Sequence, residues 1–269
     1  MREELTIMPE KLKEKSAEPA WRITYPNDCI RYVEAFRRHF WDHNGVCKLL
    51  DEFFRDEGSV QTVCELGSGA GTNLGHLSDL GYRCYGYDCS IESVEMSISR
   101  AKAAAAPTEF RLMDFFNDLP EREFDAVLSL FVPISLADMR DLAMRAHRIV
   151  RPGGYFACML LAVQEEFETV AENTVTTTEH LEIGGEDVLR FNFFAKDGNR
   201  VAFEGVYLAN SPGGLRMFKD RDTYDLMSAA NPFTLPESHF ERISRQRVYG
   251  KPNQAPPMSF EVLDIYRKR

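Results

Sequence analysis

The residues with the clearest chemical meaning in this 269-residue chain are glycines that follow an acid, in the stretch ELGSGAG at positions 65–71. Glu65 ends a short apolar run, and Gly67, Gly69 and Gly71 follow at alternate positions. Glycine is entropically costly in regular structure, so such a cluster marks a backbone that bends sharply or approaches something closely. Because an apparent helix follows, the pattern predicts a ligand-binding loop between a strand and a helix.

Dinucleotides are one class of cofactor that binds to a glycine-rich loop at this place in an open α/β sheet. A dinucleotide fold requires G-x-G-x-x-G, with the pyrophosphate at the helix N-terminus. Counted from Gly67, the third glycine of that pattern should fall at position 72, but Thr72 stands there and Gly71 comes one residue early. The spacing therefore speaks against a nicotinamide-dependent oxidoreductase, which is kept as an alternative.

The elements that must position this loop alternate between strands and helices. Apolar runs predict strands at 60–66, 82–88, 108–114, 124–132 and 155–163, and helical periodicity predicts helices at about 71–80, 91–105 and 136–150. Strands and helices alternating at this length imply right-handed crossovers and a mostly parallel sheet. Two closing strands, at 239–250 and 259–269, are expected to pair antiparallel at the end of that sheet.

The flanking segments have different patterns. Apolar residues on one helical face predict a helix over 29–54, with Gly45 as a point where it could bend or split. After residue 163, strand-like runs at 187–195, 200–210 and 215–220 are separated by the turn sequences KDGN and SPGG, which predicts an antiparallel meander. A short helix is expected at 220–230.

The order of these motifs resembles the class I S-adenosylmethionine (SAM)-dependent methyltransferases of small-molecule type. ELGSGAG resembles their motif I, YGYDCS places Asp88 at the end of the second strand, and RLMDFF places Asp114 at the end of the third. FDAVLSLFV resembles the fourth-strand motif, and RIVRPGGYF resembles the turn into strand five. The resemblance covers about residues 60–161.

This resemblance implies an α/β, Rossmann-like fold with a mostly parallel seven-stranded sheet. The expected parts are an N-terminal tail and helical cap (1–56), a SAM-binding core (57–163), an inserted antiparallel β meander (164–220) and a closing part of the core (221–269). The insertion is expected to act as a lid over the acceptor site or as a dimer surface.

The resemblance also implies roles for the matching residues. Asp88 would hold the ribose diol through charge-assisted hydrogen bonds of about 1.5–3 kcal/mol each. Asp114 would meet the adenine amino group, and Phe115 would pack on the ring. The other expected cofactor-binding residues are Glu65, Gly67, Ser68, Gly69, Gly71, Cys89, Ser90 and Leu130. Each of three residues also has an alternative role that remains open: helix capping by Asp88, a turn role for Asp114 and an exposed strand end at Glu65.

The activity that the resemblance implies is transfer of a methyl group from SAM to N or O of a small-molecule metabolite, with S-adenosyl-L-homocysteine (SAH) as product. Such an in-line displacement depends mainly on positioning and on exclusion of water, so no universal catalytic residue is implied. The candidates for contact with the acceptor are Tyr25, Phe131 and Arg216, and Pro133 could form a wall of the acceptor site together with Phe131. Ordinary packing is the alternative for Tyr25, Phe131 and Pro133. A SAM-binding cyclase or scaffold protein and a protein methyltransferase are the alternative functions.

Histidines and cysteines give no sign of a metal site. His39 and His43 are four residues apart, hence on one face of the predicted helix, where they are expected to be surface residues. His147 is expected to pack or face solvent, and His180 falls in the meander. The six cysteines include no CxxC pair, which is typical of reduced thiols in a cytoplasmic protein.

Composition narrows the choice of partners. The formal net charge is −10 and the pI is about 5.2, so the chain repels phosphate backbones and nucleic acid is not expected as a partner. The run at 155–163 is the longest near-continuous apolar run and is far shorter than the roughly 20 residues of a spanning helix, so no membrane association is expected. The N-terminus lacks the apolar region of a signal peptide. A small-molecule acceptor and a homodimer are the partners that remain.

Overall fold

The computed structural model describes residues 29–58, 60–163, 175–197, 200–225, 227, 232–248 and 259–269. Its helices are α1 (Cys29–Phe40), α2 (His43–Glu57), α3 (Thr72–Asp79), α4 (Ile91–Ala104) and α5 (Leu136–Ile149). Its strands are β1 (Thr62–Leu66), β2 (Arg83–Asp88), β3 (Thr108–Leu112), β4 (Phe124–Ser129), β5 (Val150–Val163), β6 (Val175–Ile183), β7 (Glu186–Asp197), β8 (Arg200–Ser211), β9 (Gly214–Asp225), β10 (Phe240–Val248) and β11 (Ser259–Lys268).

The larger sheet, sheet A, has seven strands within the described residues, in the order β10-β11-β5-β4-β1-β2-β3. The strands from β5 to β3 are parallel, and β11 runs antiparallel to both β5 and β10. The chain passes outward from β1 to β3 and then returns to β4 on the other side of β1. Open α/β sheets bind ligands at such a reversal, beyond the carboxyl ends of the strands. The predicted mostly parallel seven-stranded sheet is confirmed.

Helices cover both faces of sheet A, as a parallel sheet with apolar residues on both sides requires. On one face, Leu50 and Phe54 of α2 lie in the same buried cluster as Leu74 of α3. On the other face, Leu142 and Ala146 of α5 belong to a second cluster. Sheet A is therefore a rigid platform whose strand ends hold the loops between β1 and α3 and between β2 and α4.

The smaller sheet, sheet B, contains β6-β7-β8-β9 as a sequential antiparallel meander. Its inner face covers α1, because Val188 and Tyr207 lie in one buried cluster with Tyr32 and Phe36 of that helix. The predicted antiparallel insertion is confirmed, with β6 as an additional strand that the sequence pattern did not reveal. The insertion therefore encloses the cap helix in a core of its own.

The opposite, outer face of sheet B carries exposed apolar side chains. Leu215 and Met217 on β9 are 70% and 63% exposed, and Leu189 and Phe193 on β7 are also exposed. These residues belong to the insertion, which was expected to act either as a lid or as a dimer surface. A dimer at this face stays a prediction.

The cap consists of two helices instead of the single helix expected over 29–54. The helix is interrupted at Trp41 and Asp42, ahead of Gly45. Asp42 is the N-cap of α2, and its Oδ1 accepts a hydrogen bond from the Gly45 backbone N–H at 3.0 Å. A Cβ at position 45 would collide with the Asp42 carboxylate, so Gly45 leaves room for the cap instead of bending the helix itself.

The helix expected over 220–230 is wrong for its first part. Strand β9 continues to Asp225, which pairs with Arg200 of β8. Cross-strand pairing with β8 outweighs the local helical pattern there. Of the remaining positions, 226 and 228–230 lie outside the described residues.

None of the helices in the described part of the chain has both the length and the apolar character needed to cross a bilayer.

Candidate active site

The glycine loop between β1 and α3 adopts a backbone that only glycine tolerates well. Gly67, Gly69 and Gly71 have φ angles of +79°, +52° and +76°. A Cβ at Gly67 would also lie 2.6 Å from Cγ2 of Val132, and one at Gly71 would lie 2.5 Å from Cζ of Phe110. The glycines therefore serve both backbone conformation and close packing, as the sequence analysis predicted.

Asp88 lies at the end of β2 and faces this loop. Its Oδ2 accepts a hydrogen bond from the Gly69 backbone N–H at 2.8 Å, and its Oδ1 accepts one from the Ser90 backbone N–H at 2.8 Å. Burial raises the pKa of Asp88, and these two N–H groups oppose that shift. Each carboxylate oxygen can accept more than one hydrogen bond, so both can still accept from a ligand hydroxyl.

The helix cap that was the alternative role for Asp88 is supplied by Ser90. Ser90 is the N-cap of α4, and its Oγ accepts a hydrogen bond from the Ser93 backbone N–H at 3.1 Å. The Ser90 hydroxyl also donates to Glu92 Oε2 at 3.0 Å. Asp88 is therefore anchored by the turn before α4 without capping the helix.

Replacing Ser90 by alanine is expected to lower the free energy of unfolding by about 1 kcal/mol, because the capping hydrogen bond is lost. Ser135 is a matched control: it caps α5 through the Asp138 backbone N–H at 3.0 Å and donates to the Asp138 carboxylate. Urea unfolding should show similar losses for Ser90→Ala and Ser135→Ala. Calorimetry with SAM should show weaker binding for Ser90→Ala than for Ser135→Ala. Equal affinities would show that Ser90 does not contribute to SAM binding.

A cleft opens where the loops after β1, β2 and β4 meet. The predicted residues that line it are Gly67, Gly69, Asp88, Cys89, Ser90, Phe115, Phe131 and Pro133. Three lining residues were missed by the sequence analysis, namely Arg37, Ser93 and Val132. Ser93 lies one turn beyond Ser90, and Val132 lies between two predicted positions, so both had a local signal.

Arg37 had no such signal, because it does not belong to the apolar face from which the helix over 29–54 was predicted. Its Nη2 lies 3.8 Å from Oδ2 of Asp222 on β9. Glu34, one turn earlier, is 5% exposed and accepts a hydrogen bond from the Thr72 hydroxyl at 3.3 Å. The cap helix thus contacts the glycine-loop region on one side and sheet B on the other.

Several of the predicted cofactor-binding residues do not line the cleft. Ser68 and Leu130 are buried, and Gly71 is the N-cap residue of α3. Asp114 accepts from the Phe116 backbone N–H at 3.2 Å and from Asn117 Nδ2 at 2.7 Å, which is the turn role left open above. Its neighbour in the chain, Phe115, does line the cleft.

Of the acceptor candidates within the described residues, Arg216 does not line the cleft. Arg216 lies on β9, where its Nη2 donates to the Tyr32 hydroxyl at 2.8 Å and to Glu186 Oε1 at 3.0 Å. It is thereby part of the contact between sheet B and α1. Tyr25 lies outside the described residues.

Glu65 is fully buried, so the interpretation as an exposed strand end is wrong. Burial raises its pKa to about 8. Its Oε1 accepts a hydrogen bond from Asn73 Nδ2 at 2.7 Å, and Asn73 Oδ1 lies 2.7 Å from Nδ1 of His43. The surface position expected for His43 is also wrong, because the break before α2 directs this side chain into the protein, whereas His39 stays on α1.

Phe131, the third acceptor candidate, forms one wall of the cleft. Its φ of +56° is in the left-handed region, which is uncommon for a bulky residue, and it ends β4 earlier than the apolar pattern predicted. Its ring centroid lies 4.5 Å from that of His43 and 5.7 Å from that of Trp41. The cap therefore holds this wall in place.

Metal ligation has no structural support in the part of the chain that is described, where no three His, Cys, Asp or Glu side chains form a group that could hold an ion.

Part of the chain is similar in sequence to known methyltransferases. Residues 64–158 match the methyltransferase-domain family. A ubiquinone biosynthesis O-methyltransferase from Paramagnetospirillum magneticum is 30% identical over 120 residues, which is 45% of this chain and 47% of that protein. The matched part spans about half the length of the curated relatives, 47% and 53%.

Solved structures resemble the chain over most of its length. A SAM-dependent methyltransferase from Clostridium acetobutylicum superposes with a TM-score of 0.71 at 10% identity, over 88% of this chain and 97% of that one. An amino pentose methyltransferase from Micromonospora echinaspora, solved with SAM bound, superposes with a TM-score of 0.63 at 15% identity, over 88% and 96%. At these identities the likeness concerns the fold.

Proposed function

Because the chain carries a methyltransferase domain and has the fold of the class I SAM-dependent methyltransferases, we propose that it transfers a methyl group from SAM to N or O of a small-molecule metabolite. The observation that carries this proposal is the anchored carboxylate of Asp88 facing three left-handed glycines at the topological reversal of sheet A. SAM is the methyl donor and SAH the product.

The cofactor would lie across the cleft in the manner that the resemblance implies. Asp88 would accept from the ribose diol, Phe115 would pack on adenine, and the backbone of the glycine loop would lie beside the methionine end. Asp114 holds the turn after β3, and its carboxylate can accept a further hydrogen bond from the adenine amino group. Phe115 lines the cleft and Asp114 does not, so Phe115 is the better-placed of the two for that end of the cofactor.

The acceptor would lie against Phe131, Val132 and Pro133, which form an apolar wall in the cleft. SAM supplies an activated methyl group, so the protein must mainly align the acceptor and exclude water. The similar proteins support a small acceptor, since one is named an O-methyltransferase of ubiquinone biosynthesis and another acts on an amino pentose. A SAM-binding cyclase or scaffold and a protein methyltransferase remain the alternatives.

The reaction would take place in the cytoplasm. All six cysteines are free thiols, and five of them are buried, which is in keeping with a reducing compartment. The acidic net charge of −10 supports a small molecule over nucleic acid as the acceptor. The exposed apolar face of sheet B is the surface on which we propose that a homodimer would form.

Binding of the cofactor should stabilise the fold measurably. At 100 times its dissociation constant, SAM or SAH is expected to raise the free energy of unfolding by about 2.7 kcal/mol through mass action. NADH and NADPH at millimolar concentrations should leave the melting curve unchanged. Stabilisation by a nicotinamide cofactor alone would contradict the proposal and favour the oxidoreductase alternative.

Turnover tests the function itself. The purified protein would be incubated with SAM labelled in the methyl group and a panel of catechols, hydroquinones and amino sugars, and both SAH and labelled product would be measured. We expect SAH to form in proportion to a methylated product. Labelled polypeptide in place of a labelled small molecule would support the protein methyltransferase, and SAH-free conversion of SAM would support another chemistry.

A further inference from the structure

Three buried polar side chains form a hydrogen-bonded series from β1 to the cap, and none of them lines the cleft, although Glu65 was expected to contact the cofactor. Asn73 Nδ2 lies 2.7 Å from Oε1 of Glu65, and Asn73 Oδ1 lies 2.7 Å from Nδ1 of His43. These residues are 5%, 0% and 9% exposed, respectively. Among the residues that the structure describes, each end of this series has one buried atom without a hydrogen-bond partner, Oε2 of Glu65 and Nε2 of His43. Unsatisfied buried polar atoms are rare and require an explanation.

The amide of Asn73 decides which nitrogen of His43 carries the proton. An amide nitrogen can only donate hydrogen bonds, so Nδ2 donates to Glu65 and Oδ1 must accept. Nδ1 of His43 is therefore the N–H that donates to Asn73. In the neutral imidazole, Nε2 then has a free lone pair.

The surroundings keep this imidazole neutral near pH 7. Burial is the largest influence and lowers the pKa of His43 below its ordinary 6.5. His76 of α3 and Arg37 of α1 act in the same direction, whereas Glu34 of α1 and the hydrogen bond that His43 donates to Asn73 act against it. A neutral imidazole with a fixed tautomer and a free Nε2 is the form that can take up a proton.

His43 lies directly behind the acceptor wall of the cleft. Its ring centroid is 4.5 Å from that of Phe131, and Phe131 lines the cleft together with Val132 and Pro133. The strained φ of Phe131 shows that this wall is held in an uncommon conformation by its surroundings. For Nε2 to take a proton from an acceptor in the cleft, the ring of Phe131 would have to move aside so that the two groups come within hydrogen-bond distance.

We propose that His43 is the general base of this enzyme and that Asn73 and Glu65 fix its tautomer, an inference that rests on the proposed methyl transfer. The acceptor would be a hydroxyl or an ammonium group, since these must lose a proton. An ammonium acceptor first loses a proton to Nε2 of His43, which frees the lone pair of its nitrogen, whereas a hydroxyl loses its proton to Nε2 as its oxygen attacks. The oxygen or nitrogen forms a bond to the methyl carbon, the carbon–sulfur bond breaks, and its electron pair stays on sulfur to give SAH. His43 then releases the proton to solvent.

The first test reads the tautomer and needs no acceptor. Long-range ¹H–¹⁵N spectra of the protein labelled in histidine are expected to show His43 as the neutral Nδ1–H tautomer at pH 7, with a midpoint of titration below 6.5. Asn73→Ala should shift the population toward Nε2–H, which the loss of the Nδ1 partner permits. An imidazolium or an Nε2–H tautomer in the parent protein at pH 7 would overturn the proposal.

The second test separates a base from a structural link. In His43→Asn the side-chain amide nitrogen can still donate to Asn73 Oδ1 but cannot take up a proton. With the panel compound that the parent methylates fastest, kcat should fall about 10²- to 10⁴-fold, the usual contribution of a general base. SAM affinity should stay within a few-fold of the parent, and His39→Asn on α1 should behave as the parent.

The pH profile gives the sign of the effect. Because the neutral imidazole is the active form, kcat/KM of the parent should fall as the pH drops through the lowered pKa of His43, and this limb should vanish in His43→Asn. If His43→Asn is folded and keeps the parental kcat and pH profile, His43 is not the general base and only connects the cap to β1 structurally. Failure of the parent to bind SAM would instead refute the proposed function, so the two failures are distinguishable.

Discussion

Replacing Asp88 by alanine is expected to weaken SAM binding by about 2–4 kcal/mol, or roughly 30- to 900-fold, with the fold intact. The expected loss has two sources. The ribose diol loses two charge-assisted hydrogen bonds, and the Gly69 backbone N–H loses the acceptor at 2.8 Å that holds the glycine loop in place. Both depend on one carboxylate, so no neighbouring residue can compensate.

Titration calorimetry with SAM measures this effect, and the melting curve of each variant shows whether it is folded. Asp118→Ala is a suitable control, because Asp118 is an exposed carboxylate in the loop after β3 and does not line the cleft. It should bind SAM like the parent. Parental affinity in a folded Asp88→Ala protein would remove Asp88 from the cofactor site.

Replacing Tyr207 by alanine is expected to lower the free energy of unfolding by about 3–5 kcal/mol, as for other large aromatic core residues. Tyr207 is fully buried between sheet B and α1, with its ring centroid 5.6 Å from that of Phe36. Its hydroxyl donates to Asp220 Oδ2 at 2.9 Å. The substitution leaves a cavity and removes a hydrogen bond from a buried carboxylate.

The same substitution should also weaken SAM binding, although Tyr207 does not line the cleft. Helix α1, which packs on Tyr207, carries Arg37 into the cleft. Coupling through packed elements of this kind amounts to about 0.5–2 kcal/mol. Sheet B would then act on the cofactor as well as on the acceptor, which differs from a lid that covers the acceptor alone.

Urea unfolding and calorimetry on Tyr207→Ala and Tyr207→Phe test this coupling. The phenylalanine variant keeps the ring and removes only the hydroxyl, so we expect a loss of about 1–3 kcal/mol in stability and little change in SAM affinity. If both variants remain folded and bind SAM with parental affinity, sheet B and α1 are not coupled to the cofactor site.

The sequence predicted those features that depend on local pattern. Continuous apolar runs identified the central strands β4 and β5, because strands buried on both faces contain few polar residues. The glycine loop was predictable because Gly67, Gly69 and Gly71 need left-handed backbone, which other residues rarely adopt. Asp88 followed from its place at the end of the next strand.

The features that were missed depend on contacts between distant parts of the chain. The extension of β9 to Asp225 requires its pairing with Arg200 of β8, which outweighs a helical pattern in the sequence. The burial of His43 requires its contact with Asn73, 30 residues further along the chain. Arg37 reaches the cleft only because sheet B packs α1 against the core, so no local signal could have identified it.

A crystal structure with SAH would show whether the cofactor occupies the cleft at the ends of β1, β2 and β4. We expect the ribose hydroxyls within hydrogen-bond distance of the Asp88 carboxylate, adenine against Phe115, and the homocysteine end beside Gly67 and Gly69. SAH bound elsewhere on the protein, or a cleft that stays empty at millimolar SAH, would rule out this cofactor site.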